Sequence, residues 1–155
     1  MTKKNISVVL PCYNEEGNVE KISNDIIKLF KKELSKYNYE IIFIDNDSKD
    51  NTRNILRKMC KKNKNIKAIF NAKNFGQFNS PYYALLQSSG DAVISMASDF
   101  QDPVDMLPKF VSAWEEGYKI AVVTDIGLLN DGGFNQGTYE GAKSYAEKTG
   151  NYPGP

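Results

Sequence analysis

Five short apolar runs recur along the chain, and their order leaves few folds open. They are Ile6–Leu10, Glu40–Ile44, Ile66–Phe70, Ala92–Met96 and Lys119–Val123. Each is rich in β-branched or aromatic residues and nearly continuous, the pattern of strands buried on both faces. Helical patterns lie between them. Val19, Ile22, Ile26, Phe30 and Leu34 step by three or four and give a first helix one apolar stripe. Ile55, Leu56, Met59 and Cys60 do the same for a second, and Leu85 with its neighbours marks a third whose start is blurred by Asn79-Ser80-Pro81. A fourth carries Leu107, Phe110, Val111 and Trp114, opened by Asp102 and Pro103 and closed by Gly117. Its Pro108 is tolerable only within the first turn, where amides lack intrahelical acceptors. A fifth runs from about Thr138 to Lys148, with Gly150 as its C′ residue. Strands alternating with helices in this way imply a parallel sheet with right-handed crossovers. The expectation is an α/β fold: three layers, five mostly parallel strands, Rossmann-like. Ile44, Phe70, Ile94, Val122 and Trp114 are expected in its core, with Val93 and Met96 buried on the fourth strand.

The 155 residues suit one domain with a single core, ending in a frayed tail over residues 151–155. The net charge of +1 hides an asymmetry: residues 1–75 hold sixteen Lys/Arg against nine Asp/Glu, and residues 76–155 hold four against ten. A basic half this mild reads as solvated helix faces, with no nucleic-acid partner. Cys12 and Cys60 lie far apart and the chain has no histidine, which excludes the usual zinc sites and a disulfide framework. The N-terminal apolar run is too short for a signal peptide, and none approaches the roughly 20 residues that span a bilayer. The expectation is a soluble, reduced, cytoplasmic protein of open oligomeric state.

Three strand ends carry polar clusters, and in a parallel sheet they share one edge. Ligands in open α/β sheets bind beyond the carboxyl ends of the strands. Pro11-Cys12-Tyr13-Asn14-Glu15-Glu16 is either a turn with Asn14 capping the first helix, or a site where Tyr13 packs on a nucleobase. Asp45-Asn46-Asp47-Ser48-Lys49-Asp50 either caps the second helix or hydrogen-bonds a base edge or ribose. In Ser98-Asp99-Phe100-Gln101-Asp102, Asp99 and the Gln101 carbonyl suit a Mg²⁺ that takes one or two carboxylates plus substrate phosphates. The plain alternative makes Asp102 the helix cap and Asp99 a solvated loop residue.

Together these clusters resemble the family 2 glycosyltransferases of GT-A fold, and most of all the polyprenyl-phosphate sugar synthases (dolichol-phosphate mannose synthase-like). The likeness covers residues 5 to about 119, through VVLPCYNEEGNV, IIFIDNDSKDNT, NAKNFGQ, SGDAVISMASDFQDP and FVSAWEEGYKIAVV. It implies glycosyl transfer from a nucleoside diphosphate sugar, UDP- or GDP-type, to a polyprenyl phosphate. It implies that Pro11, Tyr13 and Glu15 line the nucleotide site, that Asp45 and Asn46 meet the base, and that Lys73 approaches the diphosphate. Asp99 and Gln101 would hold Mg²⁺ or Mn²⁺. Two positions depart from the family pattern: Ala97 stands where an acid is usual, and Asn46 where a second acid follows Asp45.

Residues 119–150 resemble instead the start of the basic membrane lipoprotein family, the purine-nucleoside-binding proteins of importers. That likeness implies a nucleoside near Asp125, Asn130, Asp131, Phe134 and Asn135; the plain reading is a Gly-rich connection into the fifth helix. The expectation is therefore a junction of two α/β pieces, 1–119 glycosyltransferase-like and 120–150 a strand–loop–helix completing the sheet. Such a chain would lack the acceptor-binding half and be inactive. An active enzyme, a nucleotide- or nucleoside-binding module and a ligand-free chimeric scaffold all stay open.

Overall fold

A computed structural model describes residues 2–118 together with 140, 143, 144, 147 and 148. Four parallel strands form its sheet: β1 (Asn5–Cys12), β2 (Asn38–Asp45), β3 (Ile66–Phe70) and β4 (Ala92–Ser95). Their order is β3-β2-β1-β4. Cys12 lies opposite Asp45, Asp45 opposite Phe70, and Val9 opposite Ser95, so all four carboxyl ends reach one edge.

The connections are α1 (Val19–Lys32), α2 (Thr52–Lys62) and α3 (Gly76–Leu86); a 3-10 turn (Val104–Met106) then leads into α4 (Leu107–Glu115). Right-handed crossovers carry the chain outward from β1 through β2 to β3 and then back to β4. That reversal places α1 and α2 on one face of the sheet and α3 on the other. Val9, Ile42 and Ile44 pack with Ala84 of α3 on its face, flanked by Ile69 and Leu85. Val19, Ile22, Ile26 and Phe30 of α1 are all buried, with Leu34 just beyond the helix. Each such side chain contributes roughly 1.5–3 kcal/mol.

β1 and β2 are covered on both faces, as their continuous apolar runs imply. The outer strands are not. Phe70 is only half-buried, and Val93 is 40% exposed where burial was expected, because β4 has a neighbour on one side only among the described strands. Trp114 is half-buried, while Leu107 and Val111 of α4 are buried. Pro108 falls in the first turn of α4 as required. Gly117, at φ 99°, closes the helix: its amide donates to the Trp114 carbonyl and that of Tyr118 to Ala113. Those two bonds make a Schellman motif. Pro81 lies inside α3, which starts five residues before it.

By its internal contacts the chain divides into two units, Met1–Pro108 and Lys109–Pro155. Within the second, Glu140, Lys143, Ser144, Glu147 and Lys148 are helical, on the stretch expected as the fifth helix. The expected fifth strand, Val122, the tail, and Asp125, Asn130, Asp131, Phe134 and Asn135 lie outside the described residues. No helix among the described residues is long and apolar enough to cross a membrane.

Candidate nucleotide-binding edge

The strand order reverses between β1 and β4, the switch point at which open sheets part to admit a ligand. The loops after β1, β2 and β4 meet the same edge. Each holds one non-glycine residue at positive φ: Asn14 (59°), Asp47 (70°) and Phe100 (67°). Asn and Asp tolerate that region, but a bulky Phe there is an outlier. Such backbone strain concentrates at functional sites.

The first two loops are laced together. The Asn14 amide donates to Ser48 Oγ (2.9 Å), and the Lys49 amide donates back to Asn14 Oδ1 (2.8 Å). The Glu15 amide donates to Thr52 Oγ1 (2.8 Å), and the Asn51 amide to Glu16 Oε2 (2.8 Å). Asn14 therefore ties one loop to the other and does not cap α1, whose N-cap position is Asn18. Asp50 does serve α2, accepting from the Thr52 amide at 3.0 Å. Burial pushes the Asp50 carboxyl up, but hydrogen bonds from Thr52 and the Glu16 amide prevail and hold it below the usual carboxylate range.

Tyr13 presents a ring 46% exposed, whereas Pro11 and Glu15 are half-buried. Glu15 Oε2 accepts from Asn18 Nδ2 at 2.7 Å. Asp45 is wholly buried beneath the edge. Its partner is Arg53, whose Nε lies 3.2 Å from Asp45 Oδ2 as an ion pair, though its N–H is not aligned for a hydrogen bond. Arg53 also lies 3.5 Å from Asp47 Oδ1, donates to the Asn71 carbonyl at 3.2 Å, and stacks on Phe70. Sequence reasoning missed Arg53. The signal was there: an acid closing a buried strand needs a cation, and the first turn of the next helix supplies one.

Asn46 is also buried, and its carboxamide is fully engaged within the chain, by Asn71, Asn74, Phe75 and Gly76. Lys73 sits in that same segment, exposed, with its ammonium 5.2 Å over the Phe75 ring.

The β4 loop is a closed acidic turn. Asp102 Oδ2 accepts from the Ala97 amide at 2.6 Å, and Asp99 Oδ1 from the Gln101 amide at 3.2 Å. Asp102 is thus not the helix cap; Pro103, in extended conformation, occupies the N-cap position of the 3-10 turn. The buried Ser98 hydroxyl donates to the Pro11 carbonyl at 2.7 Å and joins this loop to the end of β1. Lys21 of α1 places its ammonium 4.7 Å over the Phe100 ring. Asp99 is exposed and Ala97 supplies no carboxylate, and among the described residues no three His, Cys, Asp or Glu side chains converge as a metal cage. A divalent ion at this turn would have few protein carboxylates and would rely chiefly on ligand phosphates and water.

Comparison with known proteins agrees with the α/β fold. A glycosyltransferase of Synechocystis is 34% identical over 119 residues, 77% of this chain and 37% of the relative. The bactoprenol glucosyl transferase of Shigella phage SfX is 30% identical over 135 residues, 87% of this chain and 44% of the relative. The undecaprenyl-phosphate 4-deoxy-4-formamido-L-arabinose transferase of Proteus mirabilis is 33% identical over 116 residues, 74% and 35% respectively. The chain thus spans less than half the length of these curated relatives. Among solved structures, the mannosyltransferase PcManGT of Pyrobaculum calidifontis, in complex with GDP-Man and Mn²⁺, superposes with a TM-score of 0.61 at 21% identity, over 76% of this chain and 34% of that one. Residues 1–349 of S. aureus TarS, in complex with UDP-GlcNAc, give 0.57 at 26%, over 80% and 36%. The sequence pattern of Glycosyl transferase family 2 matches residues 7–154, through the stretch expected to be a separate piece after residue 119. The chain belongs to glycosyl transferase family 2.

Proposed function

We propose that the carboxyl edge of this sheet binds the nucleoside diphosphate of a sugar donor. The chain is then the nucleotide-sugar-binding part of a glycosyltransferase acting on a polyprenyl phosphate. The observation that carries the reading is the meeting of three interlocked loops at the carboxyl edge beside the β1/β4 switch point, each turning through one non-glycine residue at positive φ, with Phe100 the strained one. The GDP-Man and UDP-GlcNAc complexes of the structural neighbours support a nucleotide-sugar ligand, of GDP or UDP type. The bactoprenol and undecaprenyl-phosphate relatives support the acceptor class.

In this reading Tyr13 packs on the base, with Pro11 and Glu15 beside it, and Asp45 and Asn46 form the buried floor below. Lys73 faces the diphosphate, and Asp99 with Gln101 would hold Mg²⁺ or Mn²⁺. A bound divalent ion would neutralise the charge that develops on the leaving diphosphate. Lys73 would add a positive charge to the same end. Both cysteines are free, in keeping with a reducing compartment, the cytoplasm.

Because Ala97 withholds a carboxylate, the expected affinity for UDP or GDP is about micromolar to millimolar, without turnover by this chain alone. A thermal-shift series with UDP, GDP and purine nucleosides, with and without Mn²⁺, tests the reading. A ligand at 100 times its dissociation constant stabilises by about 2.7 kcal/mol. Ala97→Asp should tighten UDP roughly tenfold, about 1.4 kcal/mol, and only with metal present. Stabilisation by neither nucleotide marks a ligand-free scaffold, and preference for purine nucleosides marks the importer-like alternative. Sugar transfer to a polyprenyl phosphate by the unmodified chain would overturn the expectation of inactivity.

A further inference from the structure

The Asn46 carboxamide meets four groups, and backbone atoms dictate which way it points. Its Oδ1 accepts from the Phe75 amide (2.9 Å) and from Asn71 Nδ2 (3.2 Å). Its Nδ2 donates to the Gly76 carbonyl (3.2 Å) and to Asn74 Oδ1 (2.9 Å). A backbone amide can only donate and a backbone carbonyl can only accept, so Phe75 and Gly76 together fix the orientation. Asn74 Oδ1 is already committed as an acceptor, because the Gly76 amide donates to it at 2.8 Å. Asn71 Nδ2 also donates to the buried Ser80 hydroxyl of α3 (2.9 Å). The network therefore runs from the end of β2, through the β3–α3 connection, into α3. A carboxylate at position 46 offers no donor. It would set an oxygen against both the Gly76 carbonyl and Asn74 Oδ1, replacing two hydrogen bonds by acceptor–acceptor contacts and leaving Asn74 Oδ1 only the Gly76 amide.

We propose that Asn46 is a positioning residue. Its carboxamide holds the Asn71–Gly76 connection, and with it the Lys73 ammonium, where the ligand's diphosphate lies. Its hydrogen-bonding groups are spent on the chain, so it does not read the base edge. Discrimination between bases falls to other groups on the edge. This inference rests on the nucleotide reading above for its ligand, though not for its geometry.

The test uses Asn46→Asp and, as a milder variant on the exposed loop, Asn74→Ala. Amide hydrogen exchange without ligand and calorimetric titration with UDP and with uridine are measured for each. Both variants should accelerate exchange at Phe75 and Gly76. Both should weaken UDP by about tenfold and change uridine by less than about twofold, since only UDP carries the diphosphate. With Lys73→Ala already in place, neither variant should weaken UDP further, a non-additivity that a merely structural role would not produce. Unchanged exchange at Phe75 and Gly76 overturns the positioning role whatever the nucleotide does. Equal losses for UDP and uridine overturn the link to Lys73. Faster exchange in variants of a wild type that binds neither ligand overturns the nucleotide reading and the ligand half of the inference, and separates that failure from the geometry.

Discussion

Glu40 lies on β2 near the amino-terminal edge of the sheet, away from the candidate site, and is buried. Burial pushes its carboxyl up. Hydrogen bonds from the Lys67 ammonium, the Ser7 hydroxyl and the amide and hydroxyl of Ser89 outweigh that and hold it at about 2. The network also demands glycine at position 90, where a Cβ would lie 2.5 Å from Ser7 Oγ and 2.7 Å from the Ser7 amide nitrogen. Because the folded value lies below the unfolded one, about 4.3, the ionised form stabilises the fold above that pH. The contribution is lost as pH falls toward about 2. Thermal melts should show that decline, and Glu40→Gln should flatten it while lowering stability at neutral pH by about 1–3 kcal/mol. A variant with the same acid-side slope as the parent would remove Glu40 as its source. The cysteines differ in the same physical terms. Burial, then the charges of Asp45, Glu15 and Asp50, drive the Cys12 thiol far above its ordinary range, while burial raises that of the half-buried Cys60. A thiol reagent at mildly alkaline pH should label Cys60 first and Cys12 only on unfolding, as read by peptide mass spectrometry.

Helix α1 is held by one fully buried stripe, and Ile26 lies at its middle. Ile26→Ala should destabilise by about 2–5 kcal/mol in denaturant titration. A loss under about 1 kcal/mol would mean the site collapses around the smaller side chain. That stripe was legible in the sequence because helical spacing is a local pattern, and so were the four described strands and the Gly117 stop. Less legible was which strands lie outermost: Val93 and Phe70 read as core because an apolar run does not reveal how many neighbours its strand has. Asp102 before Pro103 looked like a cap, yet extended Pro103 occupies the capping position and Asp102 turns back to the Ala97 amide. The clusters at the strand ends were legible as composition, since polar residues after apolar runs stand out. Their wiring was not. Asn14 meets a loop thirty-five residues on, and Asn46 meets partners twenty-five to thirty residues away, separations that no local pattern encodes.

At the scale of the whole molecule, the two edges of the sheet have different work. The amino-terminal edge carries the Glu40 network, whose groups are mutually satisfied. The carboxyl edge gathers Tyr13, Lys73 and Asp99 as exposed groups above a floor of engaged ones. Family membership accounts for the α/β frame, and the interlocked loops at the carboxyl edge are where the proposed nucleotide would bind. The most direct measurement is a UDP titration followed residue by residue through backbone amide chemical shifts, with Mn²⁺ replaced by Mg²⁺ to avoid paramagnetic broadening. The account predicts saturable shifts at residues 11–15, 45–50, 71–76 and 97–102, with those of Glu40, Ser89 and Gly90 unmoved. No shifts up to millimolar UDP or GDP, or shifts centred on the Glu40 edge, would contradict it.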